Sequence, residues 1–374
     1  MVVQENVVPA ENNNKAPALF GWHTYVSLAV TAVIFACLAA WVDLGEIWRE
    51  VSRSDKGLLL LAGIAHYATY PIRGLRWRRV LGHLPLRAGQ VKFGLLVFFY
   101  NFVDNLVPAK LGDVYGAHLA RINCGVRRSA AIGSIVFLRM LDAWIVLGLA
   151  AFVSWSLFSA KLPGSVMWAL IGGAIIALVA TSILIVFLLM KKSPPHWMPE
   201  KVQQMIQAFQ TGMWPRPGEM VPIAILTLIV WALETLWILS LTLAFGLDLN
   251  LTEIVFLTMV PLLASAFPLT PSGAGVVELT LFSCLRVLNV AAPIAASVTA
   301  VNRFIDYWLH IGLGLIVWAL RHRIGLRTWR EVPLAADPGT RNGMRVEDRG
   351  SRNKNKIRAR RVKEVDHVAS VSKA

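Results

Sequence analysis

Two arginines stand deep inside apolar stretches, each followed at the same spacing by an aspartate, a tryptophan and a glycine–leucine pair. Arg139, Asp142, Trp144, Gly148 and Leu149 recur as Arg303, Asp306, Trp308, Gly312 and Leu313. Guanidinium is the side-chain group best matched to a phosphate, being planar, permanently charged and able to donate two parallel hydrogen bonds. Each arginine lies roughly ten residues into its apolar run, ~15 Å deep at 1.5 Å per residue. An ionised group there costs at least ~2.5–3.5 kcal/mol unless it faces a cavity or a partner. Asp142 and Asp306 follow at i+3, near enough for direct pairing. Two readings stay open: ion pairs that pin helices together, or cations that receive an anionic headgroup.

A break precedes each arginine. PAKLGD supplies Pro108, Lys110, Gly112 and Asp113, and PSGAGVVE supplies Pro271, Gly273, Gly275 and Glu278. Proline removes a helical N–H and glycine tolerates conformations closed to other residues, so a helix is expected to stop at each of these places. Asp104, Asn105 and Lys110 cluster around the first break. Lys110 could attract a headgroup, while Asp113 and Glu278 could neutralise the arginines or carry a coupling proton. The alternative is that all of them touch water at hairpin tips. Glu234, in mid-span, is either a buried hydrogen-bonded carboxyl or part of a cavity. His66 and His310 are single and read as packed histidines. No metal site and no cofactor are expected.

The elements that must position these groups are membrane helices. Apolar residues make up 56% of the chain and charged ones 16%, against about 45–50% and ~25% in soluble proteins. The expected fold is an all-α polytopic membrane protein with about six full transmembrane helices, near 24–42, 57–75, 130–157, 165–190, 220–246 and 294–320. Two interrupted regions, about 92–125 and 252–290, are expected as re-entrant hairpins, since non-helical backbone at membrane depth must be covered by protein or water. Repeat 1 (about 57–157) and repeat 2 (about 220–320) then form an inverted repeat within a transmembrane domain spanning 24–320. That architecture places substrates near the midplane between broken helices.

Charge orients the chain. Arg73, Arg76, Arg78, Arg79, Arg87 and Lys92 mark a cytoplasmic loop after the second span, and Arg121, Arg127, Arg128, Lys191, Lys192, Lys201 and Arg216 fall on the same side. Both termini are expected in the cytoplasm: residues 1–23 as a disordered segment without signal-peptide features, and 321–374 as a basic disordered tail. The linker 191–219 carries Met198, Val202, Met205, Ile206, Phe209 and Met213 at helical spacing between Trp197 and Trp214, an amphipathic helix expected at the membrane surface. Cys37, Cys124 and Cys284 are scattered in apolar sequence and read as small core residues. No Walker A, G-x-S-x-G or HExxH pattern occurs, which argues against an ATP-driven pump.

At RGLRW (Arg73–Trp77), PAKLGD and PSGAGVVE, the chain resembles the lysylphosphatidylglycerol synthase transmembrane-region family, the flippase-like membrane proteins. The family's Pro-Gly-Gly-x-Gly-plus-acid motif matches at Pro271, Gly273, Gly275 and Glu278, with Ser272 in place of its first glycine. Its proline–basic–Gly–acid motif matches at Pro108, Lys110, Gly112 and Asp113, with Tyr115 and Gly116 where another basic residue is usual. The resemblance covers about residues 24–320. It implies a multi-pass protein of a bacterial or archaeal plasma membrane that moves lipids or lipid-linked intermediates between leaflets.

Three functions follow as expectations. The first is translocation of an anionic, phosphate-bearing lipid, with Arg139, Arg303, Asp142, Asp306, Lys110, Asp113, Glu278 and Asn105 as substrate-binding residues. The second is a membrane glycosyltransferase or other enzyme acting on a polyprenyl-phosphate lipid. The third is a non-catalytic membrane subunit. Expected partners are membrane lipids, a second copy of the chain or a lipid-synthesis enzyme, and no nucleic acid.

Overall fold

The computed structural model describes residues 44–106, 111–158, 164–189, 199–264 and 275–328. The expected first span (24–42), the linker residues 190–198 and the hairpin residues Pro108, Lys110, Pro271 and Gly273 lie outside the described residues. So do residues 329–374.

The described residues form helices and turns without strands. In chain order they are α1 (Leu44–Arg53), α2 (Lys56–Val80), α3 (Gln90–Leu106), α4 (Leu111–Cys124), α5 (Arg128–Phe158) and α6 (Gly164–Leu189). There follow α7 (Glu200–Met213), α8 (Met220–Ala244), α9 (Leu251–Ala264), α10 (Val276–Val287), α11 (Ala292–Arg303) and α12 (Leu309–Leu320). A π-helical turn, Phe304–Trp308, joins α11 to α12, so these run as one long element. Among the described residues three elements are long and apolar enough to cross a membrane: Arg128–Phe158, Pro217–Ala244 and Ala292–Leu320. Leu60, Ile64, Phe152, Trp168, Leu228 and Ile316 point outward, an apolar surface suited to lipid.

Both interrupted regions fold as pairs of short helices that pack on each other, α3 with α4 and α9 with α10. Their described stretches have 17, 14, 14 and 12 residues, about 18–26 Å each. α2 and α8, the first helices of the two repeats, share the most extensive helix contact in the fold.

Small residues set the closest crossings, as in other membrane helix pairs. A Cβ on Gly74 of α2 would lie 2.4 Å from the Gly94 nitrogen of α3. One on Gly112 would lie 2.6 Å from the Tyr100 carbonyl oxygen and from Asp104 Cβ. Gly112→Ala is therefore expected to force α3 and α4 apart at a cost of about 1–3 kcal/mol, read as a lower thermal midpoint of the purified protein in detergent.

Three details differ from expectation. Arg73 and Arg76 are not in a loop. α2 continues to Val80 and carries both inside the fold, because carboxylates on α8 and α5 neutralise them. The helix around 198–213 forms as α7 but packs tightly on α5. A Cβ on Gly212 would stand 1.9 Å from the Ala130 carbonyl, and Ile206 and Met213 turn inward while Met205 and Trp214 face out. The chain also remains ordered past residue 321. Leu326 and Thr328 are buried, Tyr115 donates to the Thr328 carbonyl, and the Asn123 amide both donates to the Arg327 carbonyl and accepts from its N–H.

A polar cavity between the two repeats

Behind the second break, Gly275 adopts φ +85°, a left-handed conformation that glycine enters without Cβ strain. It is the N-cap of α10. The Glu278 side chain reaches back three residues to accept the Gly275 N–H at 2.7 Å, capping the first turn. Its other oxygen meets Arg303 Nε at 2.7 Å. In the first repeat Asp113, in the first turn of α4, takes the same position. It accepts from Arg139 Nη2 at 2.9 Å and from Nε at 3.2 Å. Each break thus supplies an acid to the arginine of its own repeat, and neutralisation of the arginines by Asp113 and Glu278 is found in both copies.

The i+3 aspartates are engaged differently. Asp142 pairs with Arg76 of α2, at 2.6 and 2.8 Å to its two oxygens, rather than with Arg139. Helical side chains lean toward the N-terminus of their helix, which carries the Arg139 head away from Asp142 and toward α4. Asp306 stays 4.0 Å from Arg303 and lies 3.7 Å from His66 Nε2. The two repeat aspartates therefore meet α2 ten residues apart, at Arg76 and His66, about 15 Å along its axis. Between them Arg73 reaches Glu234 of α8 at 2.6 Å. Glu234 is buried and lines the cavity, joining the two alternatives left open for it.

These groups surround a cavity of about 210 Å³ between the repeats. His66, Tyr70 and Arg73 face it from α2, Asn101, Asp104 and Asn105 from α3, Arg139 from α5 and Glu234 from α8. Leu257 and Pro261 of α9, Leu281 of α10, Asn302 of α11 and Asp306 in the π turn line the other side. The two motif arginines are not equivalent here. The Arg139 side chain keeps 41% of its surface open while Arg303 keeps 2%, and only Arg139 lines the cavity. Arg303 instead lies under the Tyr307 ring, 4.4 Å from its centroid. Of the other sequence candidates, Asn105 and Asp306 line the wall, Asp113, Asp142 and Glu278 stand behind it as partners of arginines, and Lys110 is outside the described residues. Among the described residues no cluster of three or more His, Cys, Asp or Glu side chains is arranged to hold a metal ion.

Residues 25–314 match the family described as the lysylphosphatidylglycerol synthase TM region. The chain belongs to this family. The family resemblance is therefore sound, and all three motifs, RGLRW, PAKLGD and PSGAGVVE, supply a cavity residue or the partner of one: Arg73, Asp113 and Val277. The chain is similar to a UPF0104 membrane protein of Methanocaldococcus jannaschii, 28% identical over 59% of this chain and 95% of that protein. A UPF0104 membrane protein of Methanothermobacter thermautotrophicus is 24% identical over 77% and 90%. It is also similar to a Haloferax volcanii protein named glycosyltransferase AglD, 23% identical over 73% of this chain but only 50% of that one. Family membership and the apolar helices make this an integral membrane protein.

The sequence reading missed Arg73, Arg76 and His66. Arg73 and Arg76 stand at i, i+3 directly after an apolar run. The presence of two deep carboxylates elsewhere, Asp142 and Glu234, was the available signal that the helix continues.

Proposed function

We propose that the protein moves an anionic, phosphate-bearing lipid between leaflets of a bacterial or archaeal plasma membrane, without covalent chemistry. The observation that carries this reading is the polar cavity of about 210 Å³ between α3 on one side and α9 and α10 on the other. Arg139 and Arg73 offer guanidinium groups to a headgroup phosphate there. Asp113 takes two of the five Arg139 N–H donors, so the remaining donors can receive phosphate oxygens. Asn101 and Asn105 add neutral hydrogen-bonding capacity on the same wall. In this reading α3–α4 and α9–α10 are re-entrant hairpins entering from opposite sides, and Glu278–Arg303 and Arg76–Asp142 hold the frame.

The similarity to a protein named glycosyltransferase favours a second reading, in which a lipid-linked phosphate is held for sugar transfer. That likeness spans half of the named protein, so the named activity can reside in the half that the likeness does not cover. The readings separate by product. Purified protein in vesicles with polyprenyl phosphate or phosphatidylglycerol, with and without nucleotide sugars, is expected to change the leaflet in which the headgroup is chemically reachable while leaving lipid masses unchanged. A lipid product heavier by one hexose, formed at constant leaflet distribution, would replace translocation by the enzyme reading.

A further inference from the structure

His66 is buried, yet neither ring nitrogen has a hydrogen-bond partner among the described residues. Nδ1 faces Glu234 at 3.9 Å and Nε2 faces Asp306 at 3.7 Å. A neutral imidazole has one N–H and can satisfy one carboxylate; only the imidazolium donates on both sides. Aromatic walls keep the ring in place: Trp237 lies 4.3 Å away centroid to centroid, Tyr67 5.0 Å and Tyr70 5.7 Å. Tyr67 in turn donates to the Ile305 carbonyl inside the π turn at 2.9 Å, which fixes the segment bearing Asp306. π turns of this kind often mark functional sites.

The charge of the cavity wall gives this arrangement a purpose. Its ionisable groups are Arg73 and Arg139 against Asp104, Glu234 and Asp306, and Asp113 behind the wall is already paired with Arg139, so among the described residues the acids outnumber the arginines while His66 is neutral. An anionic headgroup entering such a space meets repulsion. One proton on His66 reduces it. The other titratable groups near the ring are Tyr67 and Tyr70 on its own helix and His310 on α12. The Tyr70 hydroxyl and His310 Nδ1 lie 3.0 Å apart, and His310 Nε2 lies 3.2 Å from the Phe98 carbonyl, so His310 already has partners on both nitrogens.

We infer that His66 is a proton-binding site coupled to the headgroup site: one proton enters the clamp between Glu234 and Asp306 as one phosphate anion enters the cavity. This rests on the translocase reading and adds its energy source. The proton binds from water on the side to which the cavity is open and leaves with the anion on the other side, so the loaded cavity carries no added charge across the bilayer.

Two measurements test it. In phosphatidylcholine vesicles carrying fluorescent phosphatidylglycerol in one leaflet, the wild-type rate is expected to rise at least tenfold between about pH 8 and about pH 5.5. His66→Gln, with an unchanged thermal midpoint, should give a flat, slow profile. A His66→Gln profile that still rises as in wild type would overturn the coupling. The second measurement follows the imidazole of His66 by NMR in the wild-type protein labelled on histidine. Adding phosphatidylglycerol at fixed pH near about 7 should increase its doubly protonated fraction, since an added anion favours the charged form. An unchanged fraction overturns the coupling even if lipid moves, whereas an increase without lipid movement at any pH refutes the translocase and keeps the proton site.

Discussion

Glu278→Ala is expected to cost about 3–5 kcal/mol of stability, the usual penalty for leaving one member of a buried ion pair behind. Arg303 keeps only 2% of its side-chain surface open and Glu278 7%, so the stranded guanidinium has little access to water. The same change frees the Gly275 N–H that Glu278 accepts at 2.7 Å and so loosens the first turn of α10. A single carboxylate holds both the backbone at the break and the cation of the next helix. Yield of monodisperse protein in detergent and its thermal midpoint should both fall sharply. Replacing Glu278 and Arg303 together by apolar residues of similar volume should recover part of the loss, because a buried pair removed as a unit leaves no unpaired charge. A double variant as unstable as the single one would mean that the cap, not the ion pair, carries the effect.

Arg139→Ala is expected to behave in the opposite way, folding normally and failing in function. Its side chain is open to the cavity, and the carboxylate it would leave, Asp113, keeps 25% of its own side-chain surface accessible. The structural loss should therefore stay near about 1 kcal/mol, as for other accessible pairs. A charge-assisted contact to the headgroup is worth about 1.5–3 kcal/mol, so lipid movement should slow by about 10- to 100-fold. Arg139→Lys should recover less than half of that loss in free energy, since an ammonium cannot reproduce the paired donors of guanidinium. Thermal midpoints of both variants close to wild type, set beside their rates, separate this outcome from misfolding.

The contrast between the two arginines was not legible in the sequence, where they occupy identical motifs. What could be read was the composition of membrane helices; the pairing of Asp113 and Glu278 with the repeat arginines stood only as one alternative beside pairing at i+3 with Asp142 and Asp306. The start of α10 follows from local chemistry: Gly275 needs its positive φ and Glu278 caps it within three residues. The partners of Asp142 and Asp306 depend instead on how α2 lies between the repeats, a matter of tertiary packing. The motif suggested neighbours at i+3, but the N-terminal lean of helical side chains sent Arg139 to Asp113 and left Asp142 for Arg76. His66 looked like an ordinary packed histidine because its carboxylates come from α8 and the π turn, 168 and 240 residues further along the chain. The same reasoning misplaced Arg73 and Arg76, since a basic cluster after an apolar run resembles a loop until its buried counter-ions are known.

The central claim is that a lipid headgroup crosses through the cavity lined by Arg139. Its most direct test is the rate at which labelled phosphatidylglycerol, placed in one leaflet of sealed vesicles, becomes protected from a membrane-impermeant quencher. Wild-type protein should speed that protection well above the protein-free rate, and Arg139→Ala at equal reconstitution should bring it back to within about tenfold of the protein-free rate. Wild-type and Arg139→Ala vesicles that redistribute lipid at the same accelerated rate would contradict the account, because the headgroup would then be crossing without the cavity's guanidinium.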